Sequence, residues 1–432
     1  METLNVSRRG FVKGLAVAGL ALQAAPLWAQ KKSGAAAKPA RKLKIGLVGC
    51  GGRGRGAIGN LIEAAPIAGA EVEVVAVADV FEAATARAGE MFGVPAERRF
   101  HGFDGYRKVI EQPVDLVVLA TPPNFRPVHF EAAVEAGRHC FIEKPVAVDP
   151  AGVRRMLAAG EIAKQKGLSV VAGAQRRYQA NYLRNARAVQ DGAIGKILGG
   201  TVMWNQEQLW YKQRLSGESD AHYLARNWVN FLEMSGDHIV EQHFHNIDVA
   251  NWFIGRTPLA AVGFGGRMRR VTGNQYDFFS VDFDYGQGCR IHSQCRQING
   301  CYNRVGEIFT GAEGTVYADG KLEKFSKKKV KFREFTTHAN GQVQEQVELL
   351  RSILAEKPIN DTRNVADTTM TAIMGRVSAY TGQLVRWTDL TTENGRYYNL
   401  KLSPTAEDFE RGEVVAPQED VAPRPGAERK ES

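Results

Sequence analysis

From Lys44 onward, short apolar runs alternate with stretches whose apolar residues recur every three or four positions. The runs at 44–48, 73–78, 115–120, 139–142 and 168–173 are nearly continuous, as in strands buried on both faces. Between them, segments such as 57–64 and 81–92 read as helices. Strand and helix alternating in this way build a parallel, doubly wound sheet. Past residue 177 the pattern changes. Longer, aromatic-rich runs at 198–205, 259–268, 280–285, 290–296, 307–311 and 315–318 predict antiparallel strands, interrupted by one helix over 239–253. Helices near 342–355 and 364–382 are expected to return to the first sheet.

The expected fold is therefore α/β: a Rossmann-type parallel sheet over 43–176, then an α+β domain with an open, mostly antiparallel sheet over 177–403. Residues 404–432 are rich in Glu, Pro, Ala and Arg, and predict a disordered tail. At the other end, Ser7-Arg8-Arg9-Gly10-Phe11 precedes a short apolar run ending near Ala29. That is the layout of a cleaved twin-arginine export signal over 1–29, too short for a stable membrane anchor, followed by a Lys/Ala/Gly-rich linker over 30–42. It predicts a periplasmic protein exported already folded.

Charge narrows the partners. The formal net charge is +9, but residues 1–29 carry +2 and residues 30–44 carry +6, leaving +1 for the remainder. A folded body so nearly neutral has little charge for a nucleic-acid face, and that class is rejected. The five cysteines are odd in number and lack zinc-type spacing. Cys289, Cys295 and Cys301 read as small buried apolar residues.

Candidate chemistry lies at the strand ends. The first strand runs into Gly49-Cys50-Gly51-Gly52-Arg53-Gly54, and a helix follows. In that context Gly49 allows the turn, Gly51 lets the backbone approach a pyrophosphate, and Gly54 lets helix and strand approach. The helix N-terminus offers unpaired N–H groups to the phosphates. A turn that merely joins strand to helix is the plainer alternative, and the strand–turn–helix context favours dinucleotide binding. Asp79, ending the second strand, has the spacing of a ribose acceptor and would repel a 2′-phosphate, so NAD is preferred. Arg53 and Arg87 are near enough in sequence to keep NADP open; Asp79 as a simple helix cap is the alternative role. Thr121, Pro122 and Asn124 form a turn after the strand at 115–120, where such sheets bind ligands. Glu143-Lys144-Pro145 closes the strand at 139–142, and Pro145 favours extended backbone at Lys144.

With these motifs the chain resembles the Gfo/Idh/MocA family of sugar oxidoreductases over about residues 43–385. The resemblance rests on the glycine turn, on Ala120-Thr121-Pro122-Pro123 with His129, on Glu143-Lys144-Pro145, and on His245-Asn246-Ile247-Asp248 with Trp252. It implies a cofactor site of Gly49, Gly51, Gly52, Arg53, Gly54, Asp79, Thr121, Pro122, Asn124, His129, Glu143, Lys144 and Pro145. His129 is expected to cap or pack the nearby helix rather than react. The resemblance gives Lys144 contact with the nicotinamide and with the reacting hydroxyl. A lysine beside a cationic ring gives up its proton more readily.

The family pattern places an acid four residues before a catalytic histidine. Here these are Glu241 and His245, with His243 where the family has glycine. His245 is the expected general base, and Glu241 is expected either to orient it or to bind substrate. Asp237, Arg176, Arg177 and Tyr178, with Lys144 and His245, are the candidate substrate contacts. A metal on His243, His245 and an acid would need an irregular turn, so no metal is expected and His243 reads as a packing residue. The implied activity is hydride transfer between a secondary hydroxyl of a sugar, polyol or glycoside and a tightly bound NAD(P). Alternatives are a glycoside hydrolase or epimerase working through a transient keto-sugar, or a non-catalytic carbohydrate-binding protein. The family's open sheet often joins subunits, so a homo-oligomer (dimer or tetramer) is implied.

Overall fold

The computed structural model describes residues 41–426. The predicted export signal, most of the linker and the last six residues lie outside them. Arg41 and Lys42, assigned to the linker by composition, instead begin the first strand.

The first lobe is β1 (Arg41–Val48), α1 (Gly52–Ala68), β2 (Ala70–Asp79), α2 (Glu82–Phe92), β3 (Arg99–His101), α3 (Gly105–Glu111), β4 (Leu116–Leu119), α4 (Arg126–Glu135), β5 (His139–Ile142), α5 (Pro150–Gln165) and β6 (Val170–Ala172). Its six strands are parallel, in the order β3-β2-β1-β4-β5-β6. The order reverses between β1 and β4, the crevice where a doubly wound sheet takes its ligand. The continuous apolar runs follow from this layout, since Leu43, Ile45, Leu116, Val118 and Phe141 are wholly buried between helical layers. β3 is short and was not apparent in the apolar pattern.

The second lobe holds α6 (Ala180–Gln190), β7 (Ile197–Gln206), α7 (Asp220–Arg226), α8 (Leu232–Ser235), α9 (His238–Glu241), α10 (Phe244–Ile254), β8 (Ala260–Gly266), β9 (Phe278–Asp284), β10 (Arg290–Gln297), β11 (Arg304–Gly311), β12 (Gly314–Tyr317) and β13 (Leu322–Lys324). After these come α11 (Gly341–Leu354), α12 (Thr362–Thr381), β14 (Val385–Arg386), α13 (Trp387–Thr391) and α14 (Ala406–Arg411). The eight strands run β13-β12-β11-β7-β10-β9-β8-β14 and pair antiparallel except β7 with β10. α12 lies on β8 and on α5, so one helix is shared by both lobes, and α11 packs on α1.

The helix predicted over 239–253 is two helices, α9 and α10, broken at Gln242–His243. The tail predicted to be disordered is ordered to Gly426. Phe409 of α14 is buried against Phe103 and Phe125 of the first lobe. Further on, Glu419 accepts from Tyr223 and Thr272, and the Pro423 carbonyl accepts from Tyr276 in the second lobe. Composition undercounted this segment because a few anchors, rather than a periodic face, hold it. Of the three cysteines expected to be buried, Cys301 is exposed, on the loop between β10 and β11.

Candidate active site

At the carboxyl end of β1 the backbone turns through Gly49 at φ +96°, a left-handed conformation in which a side chain is strained. A Cβ on Gly49 would also lie 2.6 Å from the Ala120 carbonyl carbon, and one on Gly54 would lie 1.8 Å from the Gly49 oxygen. Gly51 and Gly52 face open space. The first turn of α1 has neither a capping side chain nor an acid. Close packing below, open space above and an uncapped helix N-terminus fit a dinucleotide pyrophosphate. Asp79 is half-buried at the end of β2. Its carboxylate accepts the N–H groups of Cys50 (2.7 Å) and Phe81 (3.0 Å) and keeps further acceptor capacity for a ribose hydroxyl. It therefore anchors the turn and the following helix.

Arg53, in that first turn, reaches across to the buried carboxylate of Glu143 at the end of β5. Its Nη2 also lies 3.8 Å from Glu345 of α11, a fully buried acid that the sequence reading did not single out. Burial pushes the Glu345 carboxyl well up, and the neighbouring Glu143 adds to this. Arg53 is thus committed to two carboxylates, which weakens its candidacy for a 2′-phosphate. Arg126 is the second unforeseen residue. Wholly buried, it donates to the carbonyls of Thr121 and Pro145, tying the loop after β4 to the loop that carries Lys144.

Lys144 reaches from the first lobe to the second. Its Nζ donates to the Glu241 carboxylate (2.9 Å) and to the Glu241 main-chain carbonyl (2.6 Å). The second bond exists because the helix breaks. The His245 N–H turns to the Gln242 carbonyl (3.4 Å), leaving the last carbonyl of α9 for the amine. A strand end of one lobe and a helix end of the other are thereby joined, with both side chains largely buried.

His245, one turn on, is buried and stacks on Trp204 of β7, ring centroids 5.7 Å apart. Burial, and then the positive charges of Lys144, Arg176 and Arg53, hold its pKa well below the ordinary imidazole value. The ring is neutral at neutral pH, as a proton acceptor must be. Trp204 Nε1 donates to Gln206, whose amide donates to Gln242, so the stacking ring is itself fixed through the broken helix. Arg176 pairs with buried Glu307 and lies 5.5 Å from the Trp204 ring. Glu307 is pushed up to about 7 by burial.

Several candidates stand elsewhere. Arg177 makes a two-pronged bond to Asp248 (both 2.8 Å), and Tyr178 donates to Asp361 (2.7 Å); both fasten the turn after β6 to α10 and to the start of α12. Asp237 is fully buried, and its two oxygens receive His238 N and Nδ1, Tyr276 N and Tyr380 Oη. With four donors it has no acceptor site left for a substrate. Asn124 donates to the carbonyls of Glu233 (2.8 Å) and Pro404 (2.9 Å), tying the lobes and the tail together instead of holding a cofactor. His129 stacks on Tyr106 at 4.1 Å and meets the Thr121 hydroxyl through Nδ1 (3.2 Å), so it acts on the cleft only through Thr121. His243 is buried against the Ser293 hydroxyl (2.7 Å). No group of three or more metal-ligating side chains occurs among the described residues. Thr121, Pro122 and Pro145 keep their places on the loops at the ends of β4 and β5.

Comparison with known proteins agrees with this geometry. The family model described as "Oxidoreductase family, NAD-binding Rossmann fold" (GFO_IDH_MocA) matches residues 43–173. An inositol 2-dehydrogenase of Rhizobium meliloti is 25% identical over 272 residues, 62% of this chain and 74% of that protein. A D-apiose dehydrogenase of Paraburkholderia graminis is 28% identical over 290 residues, 66% of this chain and 70% of that one. In fold, the chain superposes on the crystal structure of an aldose-aldose oxidoreductase from Caulobacter crescentus with a TM-score of 0.63 at 20% identity, covering 80% of this chain and 100% of the other. The first lobe matches the NAD-binding Rossmann fold of the Gfo/Idh/MocA oxidoreductases, and the likeness to these relatives extends beyond it into the second lobe.

Proposed function

We propose that the protein oxidises a secondary hydroxyl of a sugar, polyol or glycoside, with Lys144 and His245 handling the hydroxyl proton. The observation that carries this is the Lys144–Glu241 contact, which presents one amine to the cleft from both lobes at once. Two of the three ammonium protons are spent on Glu241, and the third is left for a substrate oxygen. Neutral His245 takes the hydroxyl proton as the C–H bond breaks. Trp204 fixes the plane of that ring, and burial of the pair keeps water from competing. When bound, NAD supplies the hydride acceptor; Gly51, Gly52, Asp79, Glu143 and Lys144 are the groups that would hold it. Inositol and apiose dehydrogenases among the relatives support a polyol or sugar as substrate.

The same reading places the mature protein in the periplasm, on the strength of the paired arginines Arg8 and Arg9 and the apolar run after them. A cofactor carried through export would have to stay bound through turnover. Val262 and Phe264 stand on the outward face of β8, and Phe264 is 69% exposed, which supports assembly of copies through the open sheet.

The test is a panel of sugars, polyols and glycosides offered to the NAD-loaded protein. Replacing Lys144→Ala should lower kcat by about 10²–10⁴-fold, while NADH affinity by fluorescence titration changes little. Undiminished turnover in the variant would reject this site. Glycoside cleavage without net NADH formation would assign the chemistry to a redox-neutral hydrolase.

A further inference from the structure

From the geometry of one irregular segment we infer a second carbohydrate subsite: residues 207–219 form an aromatic rim that binds the part of a glycoside beyond the reacting sugar. The inference rests on the proposed activity and narrows it, since it makes a glycoside or oligosaccharide, rather than a free monosaccharide, the preferred substrate.

The segment has neither helix nor strand, yet its backbone is tied at Gln208 to Asn299, at Lys212 to Asn227 and at Gln213 to Arg226. Long irregular segments held in one conformation are uncommon outside functional loops. At its start, Gln206 receives Trp204 Nε1 (2.7 Å) and donates to Gln242, the residue next to the acid that holds Lys144. At its end, Ser219 caps α7, whose His222 ring lies 5.8 Å from both Phe81 and Phe103 of the first lobe. Phe81 follows Asp79 by two residues and Phe103 follows β3, so both belong to the carboxyl-end loops around the cofactor crevice. One end is therefore tied to the reacting centre and the other to the adenosine side of the cleft. The chain between them joins the two sides, packed on Asn227, Trp228 and Asn230 of the second lobe.

What the rim carries is also specific. Trp210 is 45% exposed and Tyr211 44%, side by side. The Trp210 carbonyl accepts from Asn230 (3.2 Å), and the Lys212 N–H donates to Asn227 (2.8 Å). The Trp210 ring meets Trp228 in a T-shaped contact at 6.3 Å, so the two rings do not stack face to face. Backbone pinned while aromatic faces stay open is the arrangement of a stacking platform, because the ring loses little freedom when a sugar settles on it. A second ring, or an aryl aglycone, attached to the sugar that reacts at Lys144 is the group this rim would take.

The experiment compares free monosaccharides with their phenyl glycosides on the NAD-loaded wild type, on Trp210→Ala/Tyr211→Ala and on Trp210→Phe. The wild type should prefer phenyl glycosides by about tenfold in kcat/KM, mostly through KM, the difference one stacked ring supplies. The double alanine variant should lose that preference while kcat on monosaccharides and NADH affinity hold, and Trp210→Phe should keep it. Absence of preference in the wild type would overturn the subsite, as would equal losses on both substrate types. So would a change of oligomeric state by light scattering in the alanine variant, which would make the rim a subunit contact. If the wild type turned over no sugar at all, the proposed activity would fail on its own. Calorimetric titration of phenyl glycosides into wild type and variant would then decide the subsite, with equal heats overturning it.

Discussion

The two lobes bring their functional groups to one cleft by opposite routes. In the first lobe the site is made by atoms that are missing: Gly51 and Gly52 leave space, and Gly49 and Gly54 let backbone approach backbone. In the second lobe it is made by groups placed at long range. Glu241 serves Lys144 across 97 residues, Glu307 holds Arg176 across 131, and Trp204 from β7 orients His245 of α10. Absence is a local property, written in consecutive residues. Long-range satisfaction depends on which buried groups meet once both sheets are built. The first should respond to added atoms and the second to removed charges.

Adding one methyl group tests the first statement most severely. In Gly54→Ala the new Cβ would overlap the Gly49 backbone oxygen, which no side-chain rotation can relieve. We expect a loss above about 4 kcal/mol, read as a collapsed denaturant midpoint. Gly51→Ala is the matched control. Its Cβ meets open space, so the cofactor-free protein should melt within a degree or two of wild type while NAD affinity falls about tenfold or more, since the lost volume is the ligand's. If Gly51→Ala destabilised the free protein as Gly54→Ala does, the open space over α1 would be structural and not a cradle.

Removing a charge tests the second lobe. Asp248→Asn takes the charge from a buried carboxylate that holds the half-buried Arg177 guanidinium at 2.8 Å through both prongs, and also disturbs Thr368. Breaking a buried ion pair costs up to about 3–5 kcal/mol. The expected outcome is a large drop in stability with kcat per folded molecule nearly unchanged, because Arg177 fastens the turn after β6 and does not face the substrate. A loss of kcat in the surviving folded fraction would restore Arg177 to the substrate site.

These contrasts also explain what was legible in the sequence. The parallel sheet, the glycine turn and the second sheet follow from short-range patterns, because continuous apolar runs and motif spacing are fixed before tertiary contacts form; Lys144 and His245 were singled out through the family resemblance. Arg176, Arg177 and Tyr178 are consecutive and were read as one cluster, yet only Arg176 reaches the Trp204 ring beside His245. A 3₁₀ turn over Gln175–Tyr178 sends the three side chains in different directions. The break at Gln242–His243 was not legible either. The residues from His238 to Ile254 keep a helical apolar pattern, and the interruption is stabilised by Lys144 and Gln206 arriving from elsewhere. Glu345 had no motif at all. An acid inside a helix reads as solvent-facing until the helix is found buried on α1 and on the turn after β6.

The smallest effect concerns protons and compares the lobes directly. His129 of the first lobe and His243 of the second are both buried, and burial lowers each to about 3. Nearby positive charge adds to this, from Arg126 at His129 and from His238 at His243. The unfolded chain titrates its histidines near 6.5. A base whose folded pKa is depressed binds fewer protons when folded, so its contribution is whole above about 6.5 and shrinks as pH falls toward the folded value. Each histidine should therefore cost about 1.4 kcal/mol of stability per pH unit below 6.5. His129→Gln and His243→Gln should each flatten the acid side of the stability–pH curve by that slope, measured by urea denaturation between pH 6.5 and 5. The catalytic limb should behave differently. His245 is lowered partly by Lys144, so in Lys144→Met, assayed by NADH binding and by NMR titration of the ring, its pKa should rise toward the ordinary value while those of His129 and His243 stay. An unshifted His245 in that variant would mean that burial alone, and not the amine from the opposite lobe, sets the base.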